Sequence, residues 1–180
     1  MGSQPDIVAE LYRQSLPRLG SYAFLLTGNY AEAEELVQAA IVKVCSRPRR
    51  LTNVPQAEAY VRAAIRTIHI DGLRRQARWS RVKLSLAMPD AVAESSADLA
   101  AADEVARALA TLAPRVRTVI AMYYWEDLAV ADIAAAMAIS EGTVKGYLRD
   151  GREALAPLLG ATESGDDEDG ERIAVAEVAS

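Results

Sequence analysis

The sequence predicts an all-α protein of two small helical domains joined by a flexible linker, with a helix-turn-helix as the C-terminal domain. Apolar residues recur at the spacing of amphipathic helices, and no segment alternates with the two-residue period of a strand over a useful length. Residues 84–98 lose the helical period and gain proline, serine and acidic residues, which is typical of a linker. The 180 residues have room for one ordinary domain or two small ones.

The first domain is predicted at residues 6–83 and contains three amphipathic helices. The breaks between them are expected at residues 27–29, at 47–48 and at 53–55, where glycine or proline interrupts the pattern. The apolar positions that define the helices are Ile7, Leu11, Leu16 and Leu19; Ala33, Leu36, Val37, Ala40, Ile41 and Val44; and Tyr60, Val61, Ala64, Ile65 and Ile68.

The second domain is predicted at residues 99–160 and consists of four short helices. Pro114 suits the first turn of one of them, because that position needs no backbone N–H. The apolar positions are Leu99, Val105, Leu109 and Leu112; Val116, Val119, Ile120 and Tyr123; Val130, Ile133, Ala134 and Met137; and Val144, Leu148 and Leu155.

The net charge of −5 conceals an uneven distribution. Residues 1–78 carry 11 Lys and Arg against 7 Asp and Glu, whereas residues 161–180 carry 1 against 7. The acidic tail at 161–180 is expected to be disordered, since like charges and glycines oppose packing. The basic residues crowd between 47 and 83, so the folded part of the chain suits a nucleic-acid partner.

One cysteine and one histidine exclude an internal disulfide and the usual Cys/His zinc clusters, so we expect no metal, no cofactor and no hydrolytic chemistry. Cys45 is expected to be a buried small hydrophobe. No window reaches the roughly 18 apolar residues of a membrane helix, and no cleavable leader is evident. We therefore expect a cytoplasmic protein without membrane insertion.

Residues 130–148 have the form of a helix-turn-helix. Small Ala134 lets two helices cross closely, Ile139 fills the turn, Ser140 can cap the second helix, and Val144 with Leu148 anchors that helix. Such a second helix fits the major groove of DNA, where it can read base edges and hold phosphates. The residues left outside the core are Thr143, Lys145, Gly146, Tyr147, Arg149 and Arg152.

Four small residues in this motif carry a conformational cost. Ala138 occupies a turn position that favours glycine, and a left-handed conformation costs a non-glycine residue roughly 1 kcal/mol. Gly142, Gly146 and Gly151 each weaken a helix by about 1 kcal/mol relative to alanine. These glycines are tolerable if the backbone must approach DNA, and the sequence offers no other explanation of them.

Two sets of segments, in the same order as in a known family, are similar to the extracytoplasmic-function (ECF) sigma factors of RNA polymerase. The resemblance spans about residues 6–160. Similar to the first conserved domain are residues 11–13, 26–29, 31–38, 59–62 and 70–75; similar to the promoter-reading C-terminal domain are residues 109–117 and 139–145.

The resemblance implies a non-enzymatic subunit that binds core RNA polymerase, recognises promoter DNA and is controlled by an anti-sigma partner. It implies polymerase docking through Glu35, Leu36, Gln38 and Ile41, and melting of the minus-ten element by residues 62–78. Within that stretch, residues 67–70 fall where the family captures an unpaired base. The implied DNA contacts are Arg62, Arg66, Thr67, His69, Arg74, Arg75 and Arg78 in the first domain, and Thr143, Lys145, Tyr147, Arg149 and Arg152 at the minus-thirty-five element.

Two other functions remain open from the sequence. One is a helix-turn-helix regulator resembling the output domains of two-component systems, although the N-terminal half lacks the βα alternation of a receiver domain. The other is a helical interaction protein that does not bind DNA. Co-purification with core polymerase distinguishes them, because only a sigma factor requires it.

Overall fold

The computed structural model describes residues 4–46, 51–85 and 104–157, and within them every regular element is a helix. This confirms the all-α prediction. Residues 86–98 of the predicted linker, the break at 47–48 and the tail at 161–180 lie outside the described residues. The helices are α1 (Gln4–Thr27), α2 (Tyr30–Cys45), α3 (Val54–Ser85), α4 (Glu104–Ala110), α5 (Pro114–Tyr124), α6 (Val130–Met137) and α7 (Glu141–Leu155).

The chain divides into two compact units, Met1–Ala110 and Thr111–Ser180. The first unit contains α1 to α4, and α4 packs against α1. The second contains α5, α6 and α7. This packing boundary lies later in the chain than residue 99, where the second domain is predicted to begin. The functional boundaries stay predictions.

The core of the first unit is formed by α1, α2 and α3, which all pack against one another. Leu11, Leu19 and Tyr22 form the buried side of α1, since residues spaced by three, four or eight positions lie on one helix face. Leu16 was expected on this face and is 39% exposed. The buried stripe passes through Ser15 instead, one residue and about 100° away around the helix.

Buried Ser15 belongs to a polar cluster that ties α1 to α3. Its hydroxyl donates a 2.6 Å hydrogen bond to one carboxylate oxygen of Glu58, and Arg18 lies 2.9 Å from the same oxygen. The other oxygen of Glu58 accepts from Arg62 at 3.2 Å. A single carboxylate therefore satisfies a buried hydroxyl and two guanidinium groups.

The turn between α1 and α2 lies where the sequence predicts it. Gly28 adopts a left-handed conformation with φ of 69°, which glycine tolerates without steric cost. The side chain of Asn29 then accepts a 3.1 Å hydrogen bond from the backbone N–H of Glu32 and caps α2. Half-buried Cys45 ends α2, so its expected burial is only partial.

In the second unit, α7 packs against both α5 and α6. Val144, Leu148 and Leu155 form its buried side, as predicted. Gly151 lies on the same side, and a Cβ placed there would come within 2.7 Å of the Ile120 side chain on α5 and 3.2 Å of Val116. The glycine at 151 thus serves close helix packing, a reason that the sequence did not supply.

We predict that Gly151→Ala lowers the free energy of unfolding by about 1 to 3 kcal/mol, because overpacking against Ile120 outweighs the gain in helix propensity. Gly146→Ala is the matched control, since a Cβ there meets no atom within 4 Å. It should raise the same quantity by about 0.5 to 1 kcal/mol. Urea unfolding followed by circular dichroism measures both, and an equal effect would contradict the packing argument.

We also predict that Glu58→Ala destabilises the first unit by about 1 to 3 kcal/mol, because it leaves the Ser15 hydroxyl buried without its acceptor. Glu34→Ala, on the exposed surface of α2, should change stability by no more than about 0.5 kcal/mol. Thermal unfolding of the two variants provides the comparison. Equal melting temperatures would show that Glu58 has no special role.

Candidate nucleic-acid interface

One side of α3 presents four of the predicted DNA contacts. Thr67, Arg74 and Arg78 lie near one another around the helix, because their spacings approximate whole helical turns, and Arg75 lies about 80° further round. Arg75 and Arg78 are exposed. Asp71 lies on the same side, with 3.6 Å between its carboxylate and the Arg74 guanidinium. The result is a basic strip with one internal acidic partner.

Arg62, Arg66 and His69 lie on a different side of α3. The Arg62 guanidinium is paired with Glu58 and lies 5.7 Å from the centre of the Tyr22 ring. Its charge is thus already matched within the fold. The structure divides the predicted cations of this helix into two groups.

The predicted base-capture residues do not form one pocket in this structure. Helix α3 continues through residues 67–70, so successive side chains diverge by about 100°. Thr67 is exposed, and its hydroxyl donates to the carbonyl oxygen of Ala63 at 2.7 Å. His69, two residues on, projects from nearly the opposite side, whereas Ile70 is buried.

On α2, the structure separates the four residues predicted to dock on polymerase. Glu35 and Gln38 are exposed. Leu36 and Ile41 are buried in the three-helix core, so their side chains hold α2 in place and are not presented to a partner. Val42, 63% exposed, is an apolar residue on the open surface of this helix that the prediction omitted.

In the second unit, α6, a short turn and α7 form the predicted helix-turn-helix. Ala138 has φ of 53° and ψ of 50°, so the expected left-handed conformation is present. Its N–H donates to Ala135 and the N–H of Ile139 donates to Ala134, at 3.3 and 3.1 Å, which is the Schellman ending of a helix. The Ser140 side chain then caps α7 by accepting from the Thr143 N–H at 3.1 Å.

Two opposite flanks of α7 carry its predicted DNA contacts. Lys145, Arg149 and Arg152 follow i, i+4, i+7 spacing and form a cationic flank, and all three are exposed. Half-buried Thr143 and Tyr147, also four residues apart, lie on the other flank. The buried side of the helix lies between the two flanks and leaves both at the surface.

The cations of this flank differ in their partners. Arg149 lies 3.2 Å from Asp150 and 3.8 Å from Glu153, so two carboxylates reduce its net charge. Arg152 donates from Nε to the hydroxyl of Tyr124 at 2.8 Å. Tyr123, predicted as an apolar position of this domain, and Tyr124 are half-buried, and Trp125 is exposed.

Sequence reasoning missed two polar residues in these sites, Glu58 and Tyr124. Glu58 bonds to residues about 40 positions earlier in the chain, and Tyr124 to a residue 28 positions later. Neither contact has a local sequence pattern. The sequence offers only a weaker indication of such contacts, namely a polar side chain among the apolar positions of a helix that packs against other helices.

Both units match families of one class of protein, the sigma factors of bacterial RNA polymerase. Residues 11–79 match the family described as Sigma-70 region 2, and residues 102–155 match Sigma-70, region 4. The region 2 match lies within the first unit, and the region 4 match begins at α4 and continues through the second unit.

Sequence relatives show to which group of sigma factors the chain is similar. The ECF RNA polymerase sigma factor SigL of Mycobacterium tuberculosis is 33% identical over 87% of this chain and 91% of its own length. The RNA polymerase sigma-E factor of Streptomyces coelicolor is 30% identical over 71% of this chain and 70% of its own. The ECF sigma factor SigF of Caulobacter vibrioides is 28% identical over 82% and 85%. This chain belongs to the ECF sigma factors.

A solved structure supports the fold. The sigma factor RpoE of Bartonella quintana, crystallised in complex with the anti-sigma factor NepR, superposes with a TM-score of 0.52 and 21% identity. The match covers 86% of this chain and 98% of the RpoE chain.

Family membership settles the functional alternatives. The chain is a sigma factor, a DNA-binding initiation subunit of RNA polymerase and not an enzyme. A regulator with a single helix-turn-helix domain does not account for the region 2 match, and a helical protein without DNA binding accounts for neither match. Among the described residues, no helix has the length and apolar character needed to cross a membrane.

We predict that Ala138→Gly raises the free energy of unfolding of the second unit by up to about 1 kcal/mol, because glycine removes the steric cost of the left-handed conformation. Ala135→Gly, in the helical part of α6, should lower it by about 1 kcal/mol. Denaturant unfolding distinguishes the two. Destabilisation by both variants would argue against strain at Ala138.

Proposed function

We propose that this sigma factor melts the minus-ten element with the Thr67, Arg74, Arg75 and Arg78 side of α3 and reads the minus-thirty-five element with α7. The observation that carries the proposal is the arrangement of α7. Its apolar side is used in packing against α5 and α6, and both flanks with predicted DNA contacts remain at the surface. A helix held in this way fits the major groove.

On α7, the proposed roles follow from position. Thr143 and Lys145 lie in the N-terminal half, which meets base edges in this motif, and Arg149 and Arg152 lie further along, where phosphates are held. Tyr147 lies on the Thr143 flank and can contact bases through its ring and hydroxyl. The Ser140 hydroxyl, 2.8 Å from that of Thr143, fixes the start of this flank.

On α3, promoter melting requires an unpaired base to be stabilised outside the duplex, at a cost of a few kcal/mol. Arg75 and Arg78 supply exposed cations for the single strand. Trp79, 67% exposed, supplies an aromatic face, and stacking of a base on such a face contributes about 1 to 3 kcal/mol. Arg66 supplies a further cation from a different side of the helix, and Arg62 stays paired with Glu58.

For polymerase docking, we propose the exposed surface of α2. Glu35 and Gln38 provide polar contacts, and Val42 provides an apolar one. Leu36 and Ile41 act indirectly, because their burial holds the helix in register against α1 and α3.

We also propose that the protein acts in the cytoplasm, where RNA polymerase works, and that an anti-sigma factor controls it. The supporting observations are its membership of the ECF sigma factors and the complex of the Bartonella RpoE with NepR. The surfaces proposed to be covered are the exposed face of α2 in the first unit and, separately, the α5–α6 surface of the second. The functional domains are proposed as 6–83 and 99–160.

The test is run-off transcription on genomic fragments with core polymerase and the full chain. Arg75→Gln should reduce promoter opening and hence the yield of run-off transcript. In a DNA-binding titration, it should also lower the slope of log binding constant against log salt concentration by about one, as expected for one lost phosphate contact. Arg13→Gln makes the same charge change on exposed α1 and should leave both unchanged.

Both variants should still co-purify with core polymerase, since neither lies on α2. Equal promoter opening by Arg75→Gln and wild type would contradict the role of this side of α3. Loss of co-purification in Arg75→Gln would instead place position 75 in the docking surface.

A further inference from the structure

We infer that Tyr124 is a positioning residue for DNA binding, which holds the Arg152 guanidinium ready for a backbone phosphate. The inference rests on the proposed function of α7 and adds a residue from α5 to it. Its ligand is the phosphodiester backbone, which carries no sequence information. Tyr124 itself need not touch DNA.

The contact is anchored by the packing of the two helices. Tyr124 ends α5, and Arg152 lies in the last turn of α7. Gly151, the residue before Arg152, allows α7 to approach Ile120 on α5 closely. This approach places Arg152 one residue from the crossing point and within reach of the tyrosine hydroxyl, to which its Nε donates at 2.8 Å.

The geometry leaves most of the guanidinium for a ligand. Arginine has five N–H donors, of which the bond to Tyr124 uses the one on Nε. The guanidinium carbon lies 5.9 Å from the centre of the Tyr124 ring, at the outer limit of a cation–π contact. The exposed side chain is therefore held at one edge, and the two terminal nitrogens can form the paired bonds that phosphate accepts.

The neighbouring charges favour Arg152 over Arg149 as a phosphate contact. A phosphate that approaches Arg149 also meets Asp150 and Glu153, which lie 3.2 and 3.8 Å from its guanidinium nitrogens. Arg152 is bonded to a neutral hydroxyl, and among the described residues no carboxylate lies within ion-pair distance of it. A neutral partner orients the side chain and leaves its positive charge intact.

Because Tyr124 orients the Arg152 side chain before DNA binds, it should affect the binding affinity. A free arginine side chain loses rotamer freedom when it binds a phosphate, whereas one already held by Tyr124 has lost part of that freedom in the unbound protein. Removal of the hydroxyl alone should therefore weaken binding without removing a charge.

The experiment measures binding of the full chain to a short fluorescein-labelled DNA duplex of mixed sequence, by fluorescence anisotropy over a salt series. Such a duplex is a sufficient probe because phosphate contacts do not depend on sequence. Tyr124→Phe should weaken binding about two- to tenfold at low salt, the range expected for one long side chain that must be ordered on binding. Arg152→Gln should also weaken binding and lower the salt slope by about one.

The variant with both substitutions, Tyr124→Phe and Arg152→Gln, tests whether the tyrosine acts through the arginine. Tyr124→Phe should have no further effect in the Arg152→Gln background, because the hydroxyl acts only through that side chain. Tyr123→Phe is the control: it removes the hydroxyl of the adjoining ring, leaves the Tyr124–Arg152 bond in place, and should bind as wild type. Circular dichroism melting of Tyr124→Phe establishes that the fold is retained.

Two results would overturn the inference and leave the proposed function standing. They are unchanged binding by Tyr124→Phe while Arg152→Gln binds weakly, and an equal loss from Tyr124→Phe with and without Arg152. If Lys145→Gln and Arg152→Gln both bind as wild type, the proposed DNA face of α7 fails, and the inference fails with it.

Discussion

The close approach of α7 to α5 is the constraint on which the second unit depends. Gly151 leaves room for the Ile120 side chain, and the two helices can then bury Val144, Leu148 and Leu155 on one side of α7. Once that side is fixed, the remaining surface follows from helix geometry. Lys145, Arg149 and Arg152 must lie on one flank and Thr143 and Tyr147 on the other. The position of Arg152 beside Tyr124 follows from the same crossing.

In the first unit, too, burial of one side of a helix decides which of its side chains remain at the surface. Val61 and Ile65 commit one side of α3 to the core, and Glu58 then engages Arg62 together with Ser15. Beyond Asp71, Arg75 and Arg78 are exposed. The arginines clustered in the sequence therefore differ in position: Arg62 is held by Glu58 within the fold, whereas Arg75 and Arg78 lie at the surface.

Local rules predicted much of this structure. The turn at Gly28, the Ser140 cap and the left-handed Ala138 each depend on a few neighbouring residues and were confirmed. Failures arose where distant elements decide. Helical period could not choose between Leu16 and Ser15, because the choice depends on Glu58 from another helix. Gly151 and Tyr124 could not be interpreted before the α5–α7 crossing was known.

The burial of Leu36 and Ile41 shows a second limit. The family motif predicts which helix docks on polymerase, but the packing of α2 against α1 and α3 decides which of its side chains face outward. The same holds for α3, where four consecutive residues implied in base capture lie around a continuous helix. Residues that are consecutive in a family motif point to different sides of a helix. The side of the helix on which each residue lies must therefore be known before a contact is assigned to it.

The most direct test of the account is DNA cleavage by an iron–EDTA reagent tethered to a single cysteine in the assembled polymerase complex, with Cys45→Ser as the background. The account predicts that a reagent at Asp150→Cys, on exposed α7, cuts promoter DNA in the minus-thirty-five element. A reagent at Arg13→Cys, on exposed α1 and away from the proposed docking surface, should leave that element intact. Cleavage of it from position 13 and none from position 150 would contradict the assignment of α7 to DNA.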